Sequence, residues 1–323
     1  QFWRNEKHVR LMADVNGDRR QDIVGFGNDG VWLALSTGIG FTAPTKVVDN
    51  FGYNQFWRNE KHVRLMADVN GDGCQDIVAF GNDGVWLALS TGTGFAVQPS
   101  VLPAFGYNQG GWRVENHPRL MADVNGDGCQ DIVAFGDAGM YVALSTGTGF
   151  ATPTFVLADF GYNQGWRVEK HVRLMGDING DGREDLVVFA NDGVGWGLST
   201  GGSGFALSAA GIADLGYNKG WRVEKHVRLL ADVNGDGRKD IVAFGDAGVW
   251  TALSTGIGFT APTRVLAKFG YNDGWRVDQH PRFVGDLNND GYPDIVGWLD
   301  QGVYRSLGGP QGFRGARMVL REL

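Results

Sequence analysis

One phrase occurs six times along this chain. It contains all six histidines, which follow one another at alternating intervals of 54 and 55 residues: His8, His62, His117, His171, His226 and His280. Six of the eleven tryptophans keep the same spacing: Trp3, Trp57, Trp112, Trp166, Trp221 and Trp275. A repeat of this length over a whole chain is typical of an array in which each unit buries its apolar face against its neighbours. The repeat therefore constrains the fold more strongly than any local pattern.

Each repeat reads as four short β-strands. In the second repeat, residues 55–108, the apolar and β-branched segments are 63–69, 76–80, 84–90 and 98–105. Turns rich in Gly, Asn and Asp separate them, and no helical periodicity lasts long enough to compete. Four antiparallel strands repeated six times predict an all-β, six-bladed β-propeller. The 323 residues then form one domain, with blades at about 1–54, 55–109, 110–164, 165–219, 220–273 and 274–323.

The strand order predicts where the connections lie. The acidic loop between the first two strands of a blade faces one rim. The turn between the second and third strands lies at the other rim, together with the link to the next blade. Because that link crosses from one blade to the next, we expect its side chains to line the groove between adjacent blades.

Composition excludes several classes of function. The net charge of −7 argues against nucleic acid as the main partner, since phosphate binding needs clustered Lys and Arg. No apolar run is long enough to insert into a membrane, and no signal peptide is visible, so no compartment is assigned. Cys74 and Cys129 occupy the same position in adjacent repeats, which predicts two free thiols rather than a disulfide.

The acidic loops follow the pattern D-x-N-x-D-G-x-x-D. Carboxylate and amide oxygens at this spacing suit Ca²⁺, which takes about six to eight oxygen ligands. The alternative is an ion-free network in which the aspartates accept backbone N–H bonds. Arg19 replaces the glycine in the first loop, so we expect structural calcium in a subset of the loops. The candidate ligands are Asp68, Asn70, Asp72, Asp76, Asp123, Asn125, Asp127, Asp131, Asp177, Asn179, Asp181, Asp185, Asp232, Asn234, Asp236, Asp240, Asp286, Asn288, Asp290 and Asp294.

The link between blades carries the second repeated pattern, F-G-Y-N-Q-G-W-R-V-E-K-H. A linker needs only to turn and cross, whereas aromatic rings beside Asn, Arg and His are the groups that a sugar pocket uses. The candidate sugar-binding residues are Tyr53, Asn54, Trp57, Arg58, His62, Tyr107, Asn108, Trp112, Arg113, His117, Tyr162, Asn163, Trp166, Arg167, His171, Tyr217, Asn218, Trp221, Arg222, His226, Tyr271, Asn272, Trp275, Arg276 and His280. A second tryptophan series is expected to serve packing: Trp32, Trp86, Trp196, Trp250 and Trp298.

With both patterns in view, the chain resembles the fungal N-acetylglucosamine-binding propeller lectins of the Psathyrella velutina lectin type. The segments GWRVEKHVRLLADV, DIVAFGDAGVW and VLAKFGYN of the fifth repeat carry this resemblance, and it extends over the entire chain. The acidic loops also resemble those of FG-GAP repeats in integrin-type propellers. The resemblance implies pockets between consecutive blades for terminal non-reducing N-acetylglucosamine, a few calcium ions, and sialic acid as a second ligand in some members.

The chain departs from this family in three respects. It has six units where the type lectin resembles a ring of seven, and Phe2 and Phe56 are expected to alter the pockets of the first and second repeats. The last repeat ends without a Gly-Tyr-Asn segment, so we expect five complete pockets and one defective pocket. The predicted function is a multivalent, non-enzymatic lectin whose partners are glycoproteins with terminal N-acetylglucosamine. Its rivals are an integrin-like, calcium-dependent protein adhesion module and, with less support, a hydrolase that pairs His62 with Glu60.

Overall fold

The computed structural model describes residues 3–209, 211–310 and 312–321, so Phe2 lies outside the described residues. It contains six sheets of four antiparallel strands, and in every sheet the strands pair in chain order. This confirms the predicted fold class, an all-β β-propeller of six four-stranded blades. The only helices in the described ranges are three single 3₁₀ turns, at Tyr53–Gln55, Tyr217–Lys219 and Tyr271–Asp273. No helix in that part of the chain is long and apolar enough to cross a membrane.

The first compact unit, Gln1–Gly165, contains three blades. Blade 1 consists of β1 (Arg10–Ala13), β2 (Asp22–Phe26), β3 (Val31–Ala34) and β4 (Thr45–Val48). Blade 2 consists of β5 (Arg64–Ala67), β6 (Asp76–Phe80), β7 (Val85–Ser90) and β8 (Phe95–Leu102). Blade 3 consists of β9 (Arg119–Ala122), β10 (Asp131–Phe135), β11 (Met140–Ala143) and β12 (Thr154–Leu157).

The second compact unit, Trp166–Leu323, contains the other three blades. Blade 4 consists of β13 (Val172–Gly176), β14 (Asp185–Phe189), β15 (Val194–Ser199) and β16 (Phe205–Leu207). Blade 5 consists of β17 (Arg228–Ala231), β18 (Asp240–Gly245), β19 (Gly248–Ala252) and β20 (Thr263–Leu266). Blade 6 consists of β21 (Arg282–Gly285), β22 (Asp294–Leu299), β23 (Gly302–Ser306) and β24 (Arg317–Arg321).

Within each unit the hydrophobic core lies at the seams between adjacent blades. At the seam of blades 1 and 2, Val24 and Phe26 of one blade share a buried cluster with Ile77 and Ala88 of the next. Every residue of β6 is buried, because one face of the strand packs on the preceding blade and the other on the following blade. A strand that is covered on both faces needs a continuous apolar run, which explains the repeated sequence Asp-Ile-Val-Ala-Phe.

One predicted strand boundary was wrong. The sequence placed the fourth strand of the second repeat at residues 98–105, whereas β8 covers Phe95–Leu102. The chain leaves the sheet after Leu102, where Pro103 offers no N–H for a ladder, and Phe105 has left-handed backbone angles (φ +61°). The last three residues of the predicted strand therefore belong to the link.

Two members of the second tryptophan series occupy different registers from the rest. Trp86 pairs with Ala79 on β6, whereas Trp196 pairs with Val187, the register that Leu87 has in blade 2. Gly195 takes the place of Trp86 in blade 4. Trp298 lies on β22, the second strand of its blade, in the register of Phe80, since its N–H donates to Pro281 O as that of Phe80 donates to Val63 O. The pattern of tryptophans alone could not separate these registers, because neighbouring residues of a strand point to opposite faces.

Candidate functional site

The link between blades is held at both of its ends. Its first half docks on the turn between the second and third strands of the preceding blade: the N–H of Tyr53 donates to Gly27 O (2.9 Å) and that of Asn54 to Asn28 O (2.7 Å). A Cβ on Gly52 would lie 2.5 Å from the backbone nitrogen of Gly30, so only glycine permits this approach. The second half of the link packs on the following blade.

The tryptophan of the link is a wedge at the seam. Trp57 is 6% exposed and makes edge-to-face contacts with Phe51 (5.1 Å between ring centroids) and Trp86 (6.2 Å). Trp112 makes the matching contacts with Phe105 and Tyr141. Most of the indole is thus packed inside the protein, and only an edge can face a ligand.

The histidine of the link is buried, and both of its ring nitrogens are used. In each repeat Nδ1 accepts the backbone N–H of the arginine four residues earlier, at 2.9–3.0 Å. Nε2 must then carry the proton, which it donates to Oδ1 of the first residue of the turn between the second and third strands. The six pairs, at 2.9–3.1 Å, are His8–Asn28, His62–Asn82, His117–Asp137, His171–Asn191, His226–Asp246 and His280–Asp300.

Burial favours the neutral form of three of these imidazoles. Desolvation lowers the pKa of His62, His171 and His226, and the hydrogen bond to the turn opposes this shift only in part. A neutral histidine that spends both nitrogens on the protein ties the link to the turn of its own blade. It has no hydrogen-bonding group left to offer a ligand.

The tyrosine and arginine of the link stack on each other. The guanidinium carbon of Arg58 lies 3.7 Å from the centre of the Tyr53 ring, and Nη1 donates to the carbonyl of the same tyrosine (2.5 Å). The same stack, at 3.8–3.9 Å, recurs as Arg113 on Tyr107, Arg222 on Tyr217 and Arg276 on Tyr271. These cation–π contacts cover one face of each tyrosine ring, so that face is not available to stack on a sugar.

The asparagine of the link is exposed and differs between repeats in what its amide does. Its backbone N–H binds the turn in every link: Asn54, Asn108, Asn163, Asn218 and Asn272. The side chain of Asn218 donates to Asp192 (2.8 Å), whereas no hydrogen bond within the described chain engages the amide of Asn54, Asn108 or Asn272. These amides are therefore available to a ligand.

One link spans the two compact units, and its residues are described within their own unit. Tyr162 and Asn163 donate backbone N–H bonds to Gly136 O (3.0 Å) and Asp137 O (2.9 Å). In the second unit, the rings of Trp166 and His171 are 4.9 Å apart, and the backbone N–H of Arg167 donates to His171 Nδ1 (3.0 Å).

Arginines on the first strand of the blades hold the link through a backbone carbonyl. The sequence analysis did not single them out. Nη1 of Arg64 donates to the carbonyl of Phe51 (3.0 Å), a residue held at φ +64°. Burial lowers the pKa of Arg64 to about 10, which still leaves it charged at neutral pH. Arg119, Arg228 and Arg282 make the same contact in other repeats. The signal was present in the sequence, since an arginine follows every histidine of the link by two residues.

An open groove of about 510 Å³ lies beside the link of blade 3. Trp112 and Phe105 form its floor, Tyr141 and Pro153 form a wall, and Asp137 provides a carboxylate. In blade 6 the matching groove has about 220 Å³ and is lined by Phe269, Trp275 and Tyr304, among others. It is narrowed by Lys268 and Asp273, whose charged groups are 3.8 Å apart.

The aromatic residue on the third strand that lines the groove was not singled out in the sequence analysis, which assigned only the tryptophans of this series to packing. Tyr141 and Tyr304 stand where Trp32, Trp86 and Trp250 stand in the other blades. An alignment of the repeats by strand register, rather than a count of tryptophans, would have found this aromatic position.

The comparisons with known proteins agree with this architecture. A lectin of Agrocybe aegerita, described as specifically recognising non-reducing terminal N-acetylglucosamine, is 40% identical to the chain with a TM-score of 0.91. The match covers 98% of this chain and 80% of that lectin. The chain belongs to this family of β-propeller lectins. The model of the FG-GAP-like repeat matches residues 123–188 and 232–297.

More distant matches show the fold alone. The Photorhabdus luminescens Tc holotoxin pore shares 18% identity over 90% of this chain and 13% of that one, with a TM-score of 0.59. No curated protein matches the chain.

In the FG-GAP-like loops of this lectin, the aspartate side chains accept hydrogen bonds from backbone N–H groups. In blade 2, Asp68 accepts the N–H groups of Gly71 (2.7 Å) and Gly73 (2.8 Å), and Asp72 accepts that of Cys74 (2.8 Å). Asp76 is fully buried and accepts the N–H groups of Val69 and Ser90. These bonds are the ones that the ion-free alternative predicts, and no group of three or more His, Cys, Asp or Glu in the described chain is placed to hold a metal. A cation would have to compete with these N–H groups for the carboxylate oxygens.

The loops also differ in how they balance their charge. In three loops the residue after the glycine position is an arginine that pairs with the middle aspartate: Arg20 with Asp18, Arg183 with Asp181, and Arg238 with Asp236. The other three loops have Cys74, Cys129 and Tyr292 there. Both cysteines are free thiols, as predicted, and burial beside the loop carboxylates raises their pKa.

Burial acts strongly on the last aspartate of loops 2 to 5. Desolvation raises the pKa of Asp131 to about 7 and those of Asp76, Asp185 and Asp240 to about 6, although two backbone N–H groups oppose the shift. Asp131 is therefore about half-protonated near neutral pH, whereas the other three carboxyls are mostly ionised there.

Proposed function

We propose that this lectin binds terminal non-reducing N-acetylglucosamine in the grooves where each link meets the following blade. The proposal rests on the 40% identity and 0.91 TM-score to a lectin described as recognising that sugar. The groove at Trp112 supports it, because an aromatic-lined, open cleft with one carboxylate suits a small neutral sugar.

The groove chemistry fits a pyranose. The exposed part of Tyr141 offers a flat apolar surface for the apolar face of the ring. Asp137 offers a carboxylate acceptor to hydroxyl groups, and its side chain is 61% exposed. The edge of Trp112 adds a donor for a hydroxyl or acetamido oxygen, and we propose that Asn108, which precedes the lining residue Gln109 on the link, adds its exposed amide. Together these groups provide the few directional contacts that give a sugar site its specificity.

In this proposal the candidate residues of the link divide into two roles. Trp, Asn and the turn residue contact the sugar, whereas His, Arg and Tyr hold the groove in shape. The division follows from the geometry: the imidazole nitrogens are both used, and the guanidinium is stacked on the phenol ring. Mutation of His117 should therefore lower stability and affinity together.

We further propose five complete grooves on one chain. Single sugar sites bind in the millimolar to micromolar range, about −4 to −8 kcal/mol. Several sites on one chain raise avidity on a dense glycan surface by about 10²- to 10⁴-fold. A non-enzymatic, multivalent role needs nothing more from each groove than weak, reversible binding.

Isothermal titration with N-acetylglucosamine tests this function. We expect about five sugars per chain, and N-acetylneuraminic acid as a weaker second ligand. Trp112→Phe keeps an aromatic wedge but removes the indole N–H, so it should lower the stoichiometry by one without loss of fold. The absence of heat, or one sugar per chain, would refute the multisite lectin. Glycoprotein binding that persists in excess free sugar would favour the protein-adhesion alternative.

Structural calcium in a subset of loops remains a proposal. We place it in loops 2, 3 and 6, where no arginine neutralises the middle aspartate. A metal analysis of the purified protein, before and after dialysis against EDTA, measures the ion content. One to three ions per chain would agree with this assignment, whereas no ion, or four to six ions, would contradict it.

A further inference from the structure

The turn between the second and third strands occurs in two chemical versions. In blades 1, 2 and 4 it begins Asn-Asp, and in blades 3, 5 and 6 it begins with Asp followed by Ala or Gln. The two versions are Asn28-Asp29, Asn82-Asp83 and Asn191-Asp192 against Asp137-Ala138, Asp246-Ala247 and Asp300-Gln301. The net charge of the turn is the same, but the carboxylate moves by one residue. The moved position is the one that binds the histidine of the link.

The histidine determines which group the first turn residue presents to the groove. Because Nδ1 accepts a backbone N–H, Nε2–H must donate to Oδ1 of that residue. In the Asp turns this leaves Oδ2, a charged acceptor, on a side chain that is 61% exposed at Asp137 and 58% at Asp246. In the Asn turns the same bond orients the amide so that Nδ2, a donor, faces outward. The first turn residue therefore offers the groove an acceptor in the Asp turns and a donor in the Asn turns.

The indole N–H of the link also differs between grooves with an Asn turn and grooves with an Asp turn. In the link before the Asn82 turn, Nε1 of Trp57 donates to Asn50 Oδ1 (3.1 Å) and is satisfied by the protein. Ala104 and Lys268 occupy the Asn50 position before the turns of Asp137 and Asp300. In the described part of the chain, Nε1 of Trp112, Trp221 and Trp275 has no hydrogen-bond partner, and all three precede Asp turns. An Asp-type groove thus presents a free acceptor and a free indole donor, whereas the groove at Asn82 has a capped indole and an amide donor.

We propose that the grooves form two affinity classes for the sugar and that the first residue of the turn determines the class. This inference rests on the proposed function. An Asp-type groove can bind a hydroxyl group through a charged acceptor while the indole N–H donates to a neighbouring hydroxyl or acetamido oxygen. A hydrogen bond to a charged acceptor is stronger than one between neutral groups. The Asp-type grooves are the tight class.

A swap of the two turn residues isolates this effect, because it keeps the net charge unchanged. The variants are D137N/A138D, which converts blade 3 to the Asn type, and N82D/D83A, which converts blade 2 to the Asp type. The ¹⁵N-labelled indole signals of Trp112 and Trp57 report the two grooves separately during a titration with N-acetylglucosamine. Each variant carries its own internal control, since the other groove is left unaltered.

We expect D137N/A138D to raise the dissociation constant of the sugar at Trp112 about tenfold and to leave the dissociation constant at Trp57 unchanged. N82D/D83A should strengthen binding at Trp57, and its effect remains measurable if the first variant does not fold. Unchanged titration curves at the swapped grooves, with sugar still bound, would overturn the two-class proposal and leave the lectin function intact. If no indole signal of the unmodified protein responds to the sugar, the proposed function itself fails.

Discussion

Arg19 occupies a backbone position where five of the six acidic loops have glycine, and its replacement offers a sensitive test of the loop energetics. Its φ is +65°, against +83° for Gly73, its equivalent in blade 2. Left-handed angles bring the Cβ of an ordinary residue too close to the backbone, at a cost of about 1–2 kcal/mol. The first loop therefore carries a strain that the second loop avoids.

The magnitude can be worked from these two positions. Arg19→Gly removes the strain but adds unfolded-state entropy worth about 0.4–1 kcal/mol, so we expect a net gain of about 0.5–1 kcal/mol in the free energy of unfolding. The hydrogen bond from the Arg19 N–H to Asp14 (2.6 Å) does not depend on the side chain. Gly73→Ala is the reverse change, and it should cost about 1 kcal/mol from backbone strain alone, since a Cβ there meets no atom within 4 Å.

Urea unfolding in the presence of EDTA measures both variants without a contribution from bound cations. Arg19→Ala is the matched control: it removes the side chain but keeps a Cβ at the strained position, so its stability should stay within about 0.5 kcal/mol of the unmodified protein. Equal gains from Arg19→Gly and Arg19→Ala would show that the guanidinium, and not the backbone, destabilises the loop. A neutral Gly73→Ala would refute the reasoning altogether.

Three further predictions concern the link, the groove and pH. Gly106→Ala places a Cβ 2.5 Å from the nitrogen of Gly84, so we expect a loss of more than about 2 kcal/mol in the free energy of unfolding measured by heating, against almost none for Gly202→Ala, where φ is not positive and no atom lies within 4 Å. Tyr141→Ala should weaken sugar binding in its own groove by about tenfold in the indole titration, because it removes the apolar wall, and an unchanged dissociation constant would exclude Tyr141 from the site. The raised pKa of Asp131 means that its folded form binds a proton more readily than its unfolded form, so its contribution to stability is complete below 3.8 and is lost as pH rises through about 7. Together with the three similar carboxyls, EDTA-treated protein should gain about 1 kcal/mol in unfolding free energy between pH 8 and pH 6.5, and a loss over that interval would contradict the assignment.

Much of the fold could be read from the sequence because a propeller blade is a local unit. The period of the His and Trp residues, and the four apolar segments per period, predicted six four-stranded blades that the structure confirms. The second strand of blade 2, β6, was placed correctly because its apolar run ends at a glycine. The fourth strand was misplaced because its sequence is polar and its end depends on Pro103 and on the left-handed angles of Phe105.

The sequence by itself determined the repeat, the position of the link at the seam and the residue types that gather there. Only the tertiary structure decided what each side chain does. His117 was predicted to contact the ligand, and the structure shows that both of its ring nitrogens bind the protein. Tyr141, which the sequence analysis did not single out, lines the groove. The physical reason is that a periodic sequence records which residues return to equivalent places, whereas the direction of a hydrogen bond and the exposure of a ring depend on neighbours that are distant in the chain.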